Sequence, residues 1–413
     1  MDHIGDRMSI KYKSHTKSLI TGEETVQIID LGSHGFADSF FPERKRDLAI
    51  QSAPLVCMLD QVTGLVQMRS LTDAGQRYQG LEYSYTSSNS ETAKKHWTEF
   101  ISYANSFKEI RAGTILEIGS NDGYLLSLAK SLTTKVLGVD ASPYMADIAK
   151  SSGIPTCIGS FGESQKLKSE ILSNYSSFDF IFANNVLNHS NDPVNFVKQV
   201  AELLGKDGIF IFEVPYWLES ITSLHFDQIY HEHVTYLTAK SAIALLATAG
   251  LYIQDISVVD YHGGSLRVVA SMNSKRDCPM TAILLAREDE ERLSTPERYA
   301  DYMNDISKKR DAFVMQVMEK KSEGKVIFGI GAAAKANTLL TYYGFTTEIM
   351  DFVLDTSLHK QGKLTPVTRI PIVGDDAVIE MQNGIGIVLA WNLSAPIQKK
   401  LLLLNKELEF LNI

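Results

Sequence analysis

The chain has 413 residues and only three cysteines, Cys57, Cys157 and Cys278. They form no CxxC pair and are too few for a disulfide framework. Long apolar runs are lacking too. None approaches the roughly 18 residues of a membrane span, and the opening MDHIGDRMSIKYK has no apolar core of a signal peptide. These absences point to a soluble cytoplasmic protein with no membrane partner. Basic charge is in deficit: 40 Lys and Arg face 49 Asp and Glu, a formal net charge of −9. A broad nucleic-acid face needs many Lys and Arg to neutralise phosphates, so nucleic acid is not the expected partner. A small anionic ligand stays compatible, because a few amides and cations can hold one phosphate group.

The remaining composition, 44% hydrophobic and 22% charged, is that of an ordinary globular protein. The length suggests two or three domains. Residues 1–75 read as a small, mostly β domain, with β-like runs at Val26–Leu31 and Leu65–Met68 split by Gly, Pro, Asp and Ser. The polar stretch Tyr83–Glu91 reads as a loop, either a linker or a lid. Residues 76–280 alternate strand and helix patterns. Strands are expected at Thr114–Ile118, Lys135–Val139, Phe178–Phe182 and Gly208–Phe212, with a helix at Pro193–Leu204. That alternation predicts an α/β, doubly wound parallel sheet of Rossmann-like type. A charged helical connector over Arg287–Lys321 leads into a second Rossmann-like unit, within residues 281–413. Its strands are expected at Lys325–Phe328, Phe352–Leu354 and Ile385–Leu389.

Two glycine turns stand out. Glu117-Ile-Gly119-Ser-Asn121-Asp-Gly123 follows a strand and opens a helix, and Asp140 ends the next strand. Such an acid is placed to accept hydrogen bonds from ribose hydroxyls. The E-x-G-x-x-x-G pattern departs from the dinucleotide fingerprint and suits S-adenosylmethionine, which carries no phosphate. The second turn, Gly329-Ile-Gly331-Ala-Ala-Ala334, is formally G-x-G-x-x-A, with Asp355 after the next strand. It supports an alternative function, an NAD-dependent oxidoreductase. It equally fits a helix N-terminus that, with Lys335, holds a substrate diphosphate, or a plain structural turn.

Tyr230-His-Glu232-His233 gathers proton-transfer groups within four residues. Imidazole has an unperturbed pKa of about 6.5, so acid/base work is the leading expectation. Metal binding competes, but the spacing is not H-E-x-x-H and no third ligand is near. His189, with Asn184 and Asn185, follows the third central strand, where ligands of doubly wound sheets bind. His262-Gly-Gly-Ser265-Leu-Arg267 adds a further glycine turn whose amides and guanidinium suit an anion such as a diphosphate. Arg267 could equally form an ion pair.

In this order the motifs resemble the sugar C-methyltransferases, in particular the S-adenosylmethionine-dependent nucleotide-deoxysugar 3-C-methyltransferases. The matching stretches are Asp30–Gly32 with Ala37–Phe41, Gly64–Gln67, Glu117–Gly123, Asn184–His189, Glu213–Pro215, Phe226–His233 and His262–Arg267. In the last unit they are Gly331–Lys335, Asn337-Thr338, Lys360–Gly362 and Ala390–Asn392. The resemblance implies an N-terminal domain that helps cover a sugar, and a central S-adenosylmethionine domain with Glu117, Gly119, Asn121, Gly123, Asp140, Asn184 and Asn185 at the cofactor. It also implies a C-terminal domain that helps hold the nucleotide of a nucleotide-sugar substrate, with Arg267, Ser265, Lys335 and Asn337 as substrate-side candidates. His233 is then expected as the base for the proton on C3 of a 4-ketohexose. Glu232 would orient an imidazole, and Tyr230 and His189 would donate to the oxyanion. Tyr85, or Tyr83, would reach the site from the polar stretch.

One departure concerns zinc. The family's N-terminal domain normally carries two CxxC pairs, and here only Cys57 survives, with Asp60 at its partner's position and Tyr12 and His15 at the first pair. A mixed His15/Cys57/Asp60 site is conceivable; the expectation is a domain that folds without metal. Loss of those ligands also keeps open a catalytically inactive, methyltransferase-like binding protein.

Overall fold

A computed structural model describes residues 10–47, 50–78, 86, 88, 90–133, 135–273 and 276–413. Near the N-terminus, β1 (Val26–His34), β2 (Ala53–Asp60) and β3 (Leu65–Met68) form an antiparallel meander. The short helix α1 (Ala74–Tyr78) follows, and then α2 (Glu91–Phe107). Ser90 caps α2, its hydroxyl accepting from the amide of Ala93. Ala93, Trp97, Phe100, Ile101 and Ala104 form the buried stripe of that helix, at the helical period.

The centre is a seven-stranded sheet. Its strands are β4 (Ile115–Ile118), β5 (Val136–Asp140), β6 (Thr156–Ile158), β7 (Phe178–Asn184) and β8 (Leu204–Pro215), with β10 (Tyr252–Val259) and β11 (Ser265–Ser271) beyond. The spatial order is β10-β11-β8-β7-β4-β5-β6. The five strands from β8 to β6 are parallel, and the β10–β11 hairpin joins antiparallel. Ile115, Leu116, Glu117 and Ile118 are all buried, as a central parallel strand covered on both faces requires. α3 (Tyr124–Lys130) follows the first glycine turn. α4 (Pro193–Leu203) starts where Asp192 accepts from the amide of Asn195 and Pro193 fills the first helical position. The chain leaves β4 toward β5 and β6, then crosses over to β7 and β8. The point where its direction reverses, between β4 and β7, is where such sheets open a crevice.

β9 (Thr235–Tyr236) does not join this sheet. It pairs with β3 and extends the N-terminal meander, which anchors the end of the histidine segment to another unit. The long helix α5 (Pro296–Ser322) leads to the last sheet. There β12 (Val326–Ile330), β13 (Phe352–Leu354), β14 (Ile372–Val373), β15 (Gly384–Val388) and β16 (Glu409–Leu411) are all parallel, in the order β14-β13-β12-β15-β16. α6 (Ala334–Tyr343) follows the second glycine turn. From it Asn337 donates to the carbonyl of Ala37 at 2.5 Å, and Thr338 to that of Ile229 at 2.8 Å. One helix thus ties the C-terminal unit to both others beside the histidine cluster. Among the described residues, no helix is long and apolar enough to cross a membrane.

Candidate active site

A cleft with about 950 Å³ of empty space, its open mouth included, lies at the β4/β7 reversal. Gly119, Asn121, Asp140, Asn184, Asn185 and His189 line it. Asn121 and Asn185 sit on opposite sides, both in the left-handed region at φ 50° and 54°, where Asn is better tolerated than other non-glycine residues. Asp140 accepts the amides of Asn121 and Ser142, both at 2.8 Å. That fixes its carboxylate and leaves lone pairs for a ligand. Gly123, expected at the cofactor, does not line the cleft. It is the left-handed N-cap of α3, and a side chain there would meet Ala149 and Ile154 at 3.1 Å.

Acid gathers around the first turn. Burial, then Asp122 and Asp140, push the Glu117 carboxyl well above its usual range, and burial also raises Asp140. Such a group repels a pyrophosphate and attracts a sulfonium and an ammonium. Among the described residues, neither buried atom of the Asn184 amide is paired, and Glu117 Oε2 is buried without a partner. Buried polar atoms left so are costly, and S-adenosylmethionine supplies the charges and hydrogen bonds they lack. The residues present fit that cofactor.

Where the cleft meets the histidine segment, the rings of His189 and His233 lie 5.0 Å apart. His233 Nδ1 is 2.8 Å from the carbonyl of Gln228, and Nε2 is 2.6 Å from the Tyr230 hydroxyl. A carbonyl only accepts, so Nδ1 carries the proton and Nε2 presents its lone pair. Burial pulls His233 down to about 3, so the ring is neutral near pH 7. His189 is held well below its usual value, first by burial and then by His233 and Arg77. Its Nδ1 is 2.7 Å from the Tyr78 hydroxyl, while Nε2 is buried and unpartnered.

The other cluster members differ from expectation. Glu232 orients neither imidazole; the carbonyl of Gln228 does that for His233. The Glu232 carboxyl is pushed up to about 7, by burial and then by Asp38, and its Oε2 is buried without a partner. His231 turns into the N-terminal unit, edge-on to Phe36 at 6.0 Å. Tyr85 and Tyr83 lie outside the described residues.

On the substrate side, Lys335 is brought to the cluster. Its ammonium donates to Asn392 Oδ1 at 2.7 Å and sits 4.2 Å above the Trp391 ring. Trp391 stacks on His225 at 3.7 Å and donates to Asp227 at 2.6 Å. Burial lowers the Lys335 pKa, partly offset by Asp227. Arg267, expected at a diphosphate, instead donates to Glu213 at 2.5 Å in a buried ion pair and lies over the Tyr103 ring. The other Glu213 oxygen meets His96 at 2.7 Å. Ser265 bonds the carbonyl of Tyr261 at 2.9 Å and is fully buried. Asn337 serves the contact to Ala37. Arg267, Ser265 and the donor side of Asn337 are therefore committed to the protein itself.

The second glycine turn is filled by its own chain. Asp355 accepts the amides of Ala332 and Ser357, both at 2.8 Å. Lys360 donates to the carbonyl of Ala332 at 2.7 Å, with its ammonium over Phe40. Gly331, at φ 90°, is required by packing, since a side chain there would meet Ala390 at 2.8 Å. The turn's geometry thus has a packing cause and does not favour the oxidoreductase alternative. The mixed metal site is not assembled either. Cys57 and Asp60 are three apart on β2 and so face opposite sides. Cys57 contacts Met68, and Asp60 accepts from Ser18, Thr21 and Thr63. These residues do not fit the family's zinc.

Comparison with known proteins agrees with this geometry. Residues 90–256 match a methyltransferase domain, and residues 260–410 a C-methyltransferase C-terminal domain. The C-methyltransferase NovU of Streptomyces niveus is 28% identical over 332 residues, covering 80% of this chain and 77% of its own. The chain is an S-adenosylmethionine-dependent methyltransferase, and its similarity to C-methyltransferases runs through both matched stretches. Among solved structures, an S-adenosylmethionine-dependent methyltransferase from Clostridium acetobutylicum is 15% identical, covering 44% of this chain and 92% of its own, with a TM-score of 0.35. The YcgJ protein from Bacillus subtilis is 17% identical, covering 44% and 99%, also at 0.35.

The methyltransferase uses residues that its sequence did not advertise. Tyr78 ends a short helix in a polar region, and no motif marks it. Gln228 orients His233 through its main-chain carbonyl, which any residue type supplies. Asp227 lies within the Phe226–His233 stretch and Trp391 within Ala390–Asn392, so the motifs themselves mark both.

Proposed function

We propose that this C-methyltransferase methylates C3 of a nucleotide-linked 4-ketohexose, in keeping with its resemblance to the deoxysugar 3-C-methyltransferases. One observation carries the reading. Two neutral imidazoles, each hydrogen-bonded to a tyrosine, stand 5.0 Å apart at the cofactor cleft. Methylation of carbon needs a carbon acid to lose a proton and its oxyanion to be held, and this pair offers a lone pair and hydrogen-bond donors for that chemistry.

In the proposed sequence the sugar enters beside Lys335, and the Tyr230 hydroxyl turns from His233 toward the C4 oxygen. His233 Nε2 takes the C3 proton; the C–H pair becomes the enolate double bond. His189, with Tyr78 donating to its Nδ1, presents Nε2–H to the same oxygen. S-adenosylmethionine supplies an electrophilic methyl on sulfur. The cleft walls hold cofactor and sugar in line, so proximity supplies much of the rate. Burial makes His233 a weak base alone, so its protonation depends on the enolate charge forming beside it.

Incubating the enzyme with a panel of nucleotide 4-ketohexoses and methyl-labelled cofactor tests the reading. It expects one label on ring carbon C3; label only on oxygen or nitrogen would overturn it.

A further inference from the structure

The cofactor cleft contains a buried cation. Arg77, on α1, lines the cleft and is 1% exposed. Its Nη2 donates to Asn191 Oδ1 at 3.0 Å, and Asn191 is itself tied to the carbonyl of Thr72 at 2.9 Å. Its Nε and Nη1 are buried and have no partner. Two unsatisfied N–H groups on a buried guanidinium carry a substantial desolvation cost. No described residue accepts a hydrogen bond from either group, and both belong to a side chain that lines a ligand cleft.

The place of Arg77 in the cleft identifies the ligand group. Asp140 ends β5 and is the ribose-side acid. β6 lies next to β5, at the sheet edge, and Glu163 follows β6 and lines the same cleft. The base attached to that ribose therefore projects toward Glu163. Arg77 and Glu163 line the same cleft, a donor and an acceptor in one site, and the Arg77 charge favours the ionised Glu163 carboxyl. The adenine edge farthest from ribose offers N1, an acceptor, beside the N6 amino group, a donor. We propose that Arg77, supplied by the short helix α1 ahead of the matched methyltransferase stretch, binds the cofactor's adenine by donating to N1, while Glu163 accepts from N6. The cofactor site is then completed by a helix outside the methyltransferase sheet. The inference concerns cofactor recognition and is independent of which acceptor the enzyme methylates.

Calorimetric titration of the full-length chain with S-adenosylhomocysteine and S-inosylhomocysteine tests this. Hypoxanthine reverses both groups, with N–H at position 1 and oxygen at position 6, so the wild type should strongly prefer the adenosyl compound. Arg77→Met should weaken S-adenosylhomocysteine by roughly 10- to 100-fold, as loss of a charge-assisted hydrogen bond implies. It should weaken the inosyl compound less, so the preference narrows. Glu163→Gln, at the exposed rim, should narrow the preference from the other side. Arg77→Lys, which keeps the charge and loses the fork, should fall between wild type and Arg77→Met. Adenosyl affinity within twofold of wild type in Arg77→Met would overturn the proposal. So would equal weakening of both compounds, the result expected of a purely structural arginine.

Discussion

The Tyr230 hydroxyl lies 2.6 Å from His233 Nε2, while Nδ1 of the same ring is fixed by the carbonyl of Gln228. The backbone thus decides which nitrogen of His233 is basic, and the tyrosine covers that nitrogen until substrate displaces it. Replacing His233 with Gln should lower kcat by about 100- to 10,000-fold, with S-adenosylhomocysteine affinity unchanged by calorimetry. Retention of near-wild-type turnover would remove His233 as the base.

Tyr78 acts on the other imidazole. Tyr78→Phe removes the hydroxyl that fixes the His189 tautomer. A loss of about tenfold in kcat is expected, the worth of one buried hydrogen bond. KM for the sugar should stay close to wild type. A change confined to KM would move Tyr78 from positioning His189 to holding substrate.

Much of this arrangement was legible in the sequence, and the reasons are physical. The β4 and β5 strands are apolar runs followed by a glycine turn and an acid, so the cleft could be read from pattern alone. The α4 helix declared itself by Asp192, Pro193 and its buried stripe. The roles of Arg267 and Ser265 could not be read the same way. A guanidinium suits a diphosphate and a carboxylate equally, and only the pairing of β11 with β8 brings Arg267 opposite Glu213. The Gly329–Ala334 turn misled for a similar reason. Its glycines satisfy close packing against Ala390 and Met350, a demand that leaves the same sequence signature as a dinucleotide. The β10–β11 hairpin carries polar residues among its apolar ones, so only the His262–Gly264 turn that closes it stands out in the sequence.

Arg267→Met follows from that ion pair. Among the described residues it leaves the fully buried carboxylate of Glu213 paired with His96 alone, at 2.7 Å. Urea unfolding should show a loss of about 3 kcal/mol, with KM for the sugar nucleotide unchanged. An unchanged unfolding midpoint with a raised KM would return Arg267 to an anion-binding role.

Acid sensitivity should be pronounced. His231 is fully buried and held down to about 4, and His233 to about 3, in both cases first by burial. Below about 6.5 the unfolded chain protonates these rings while the folded chain does not, so stability falls as pH drops toward those values. His231 alone should contribute a loss of about 2 kcal/mol between pH 6.5 and pH 5. His231→Asn should flatten the pH dependence of the melting temperature over that range. An identical slope in the variant would show that His231 titrates normally.

In the proposed reaction His233 removes a proton from the carbon that then receives the methyl group. The most direct measurement is NMR of a nucleotide-linked 4-ketohexose in heavy water, with S-adenosylhomocysteine in place of the methyl donor. The wild-type enzyme should exchange the C3 proton for deuterium, and His233→Gln should not. Exchange in His233→Gln at the wild-type rate would contradict that role.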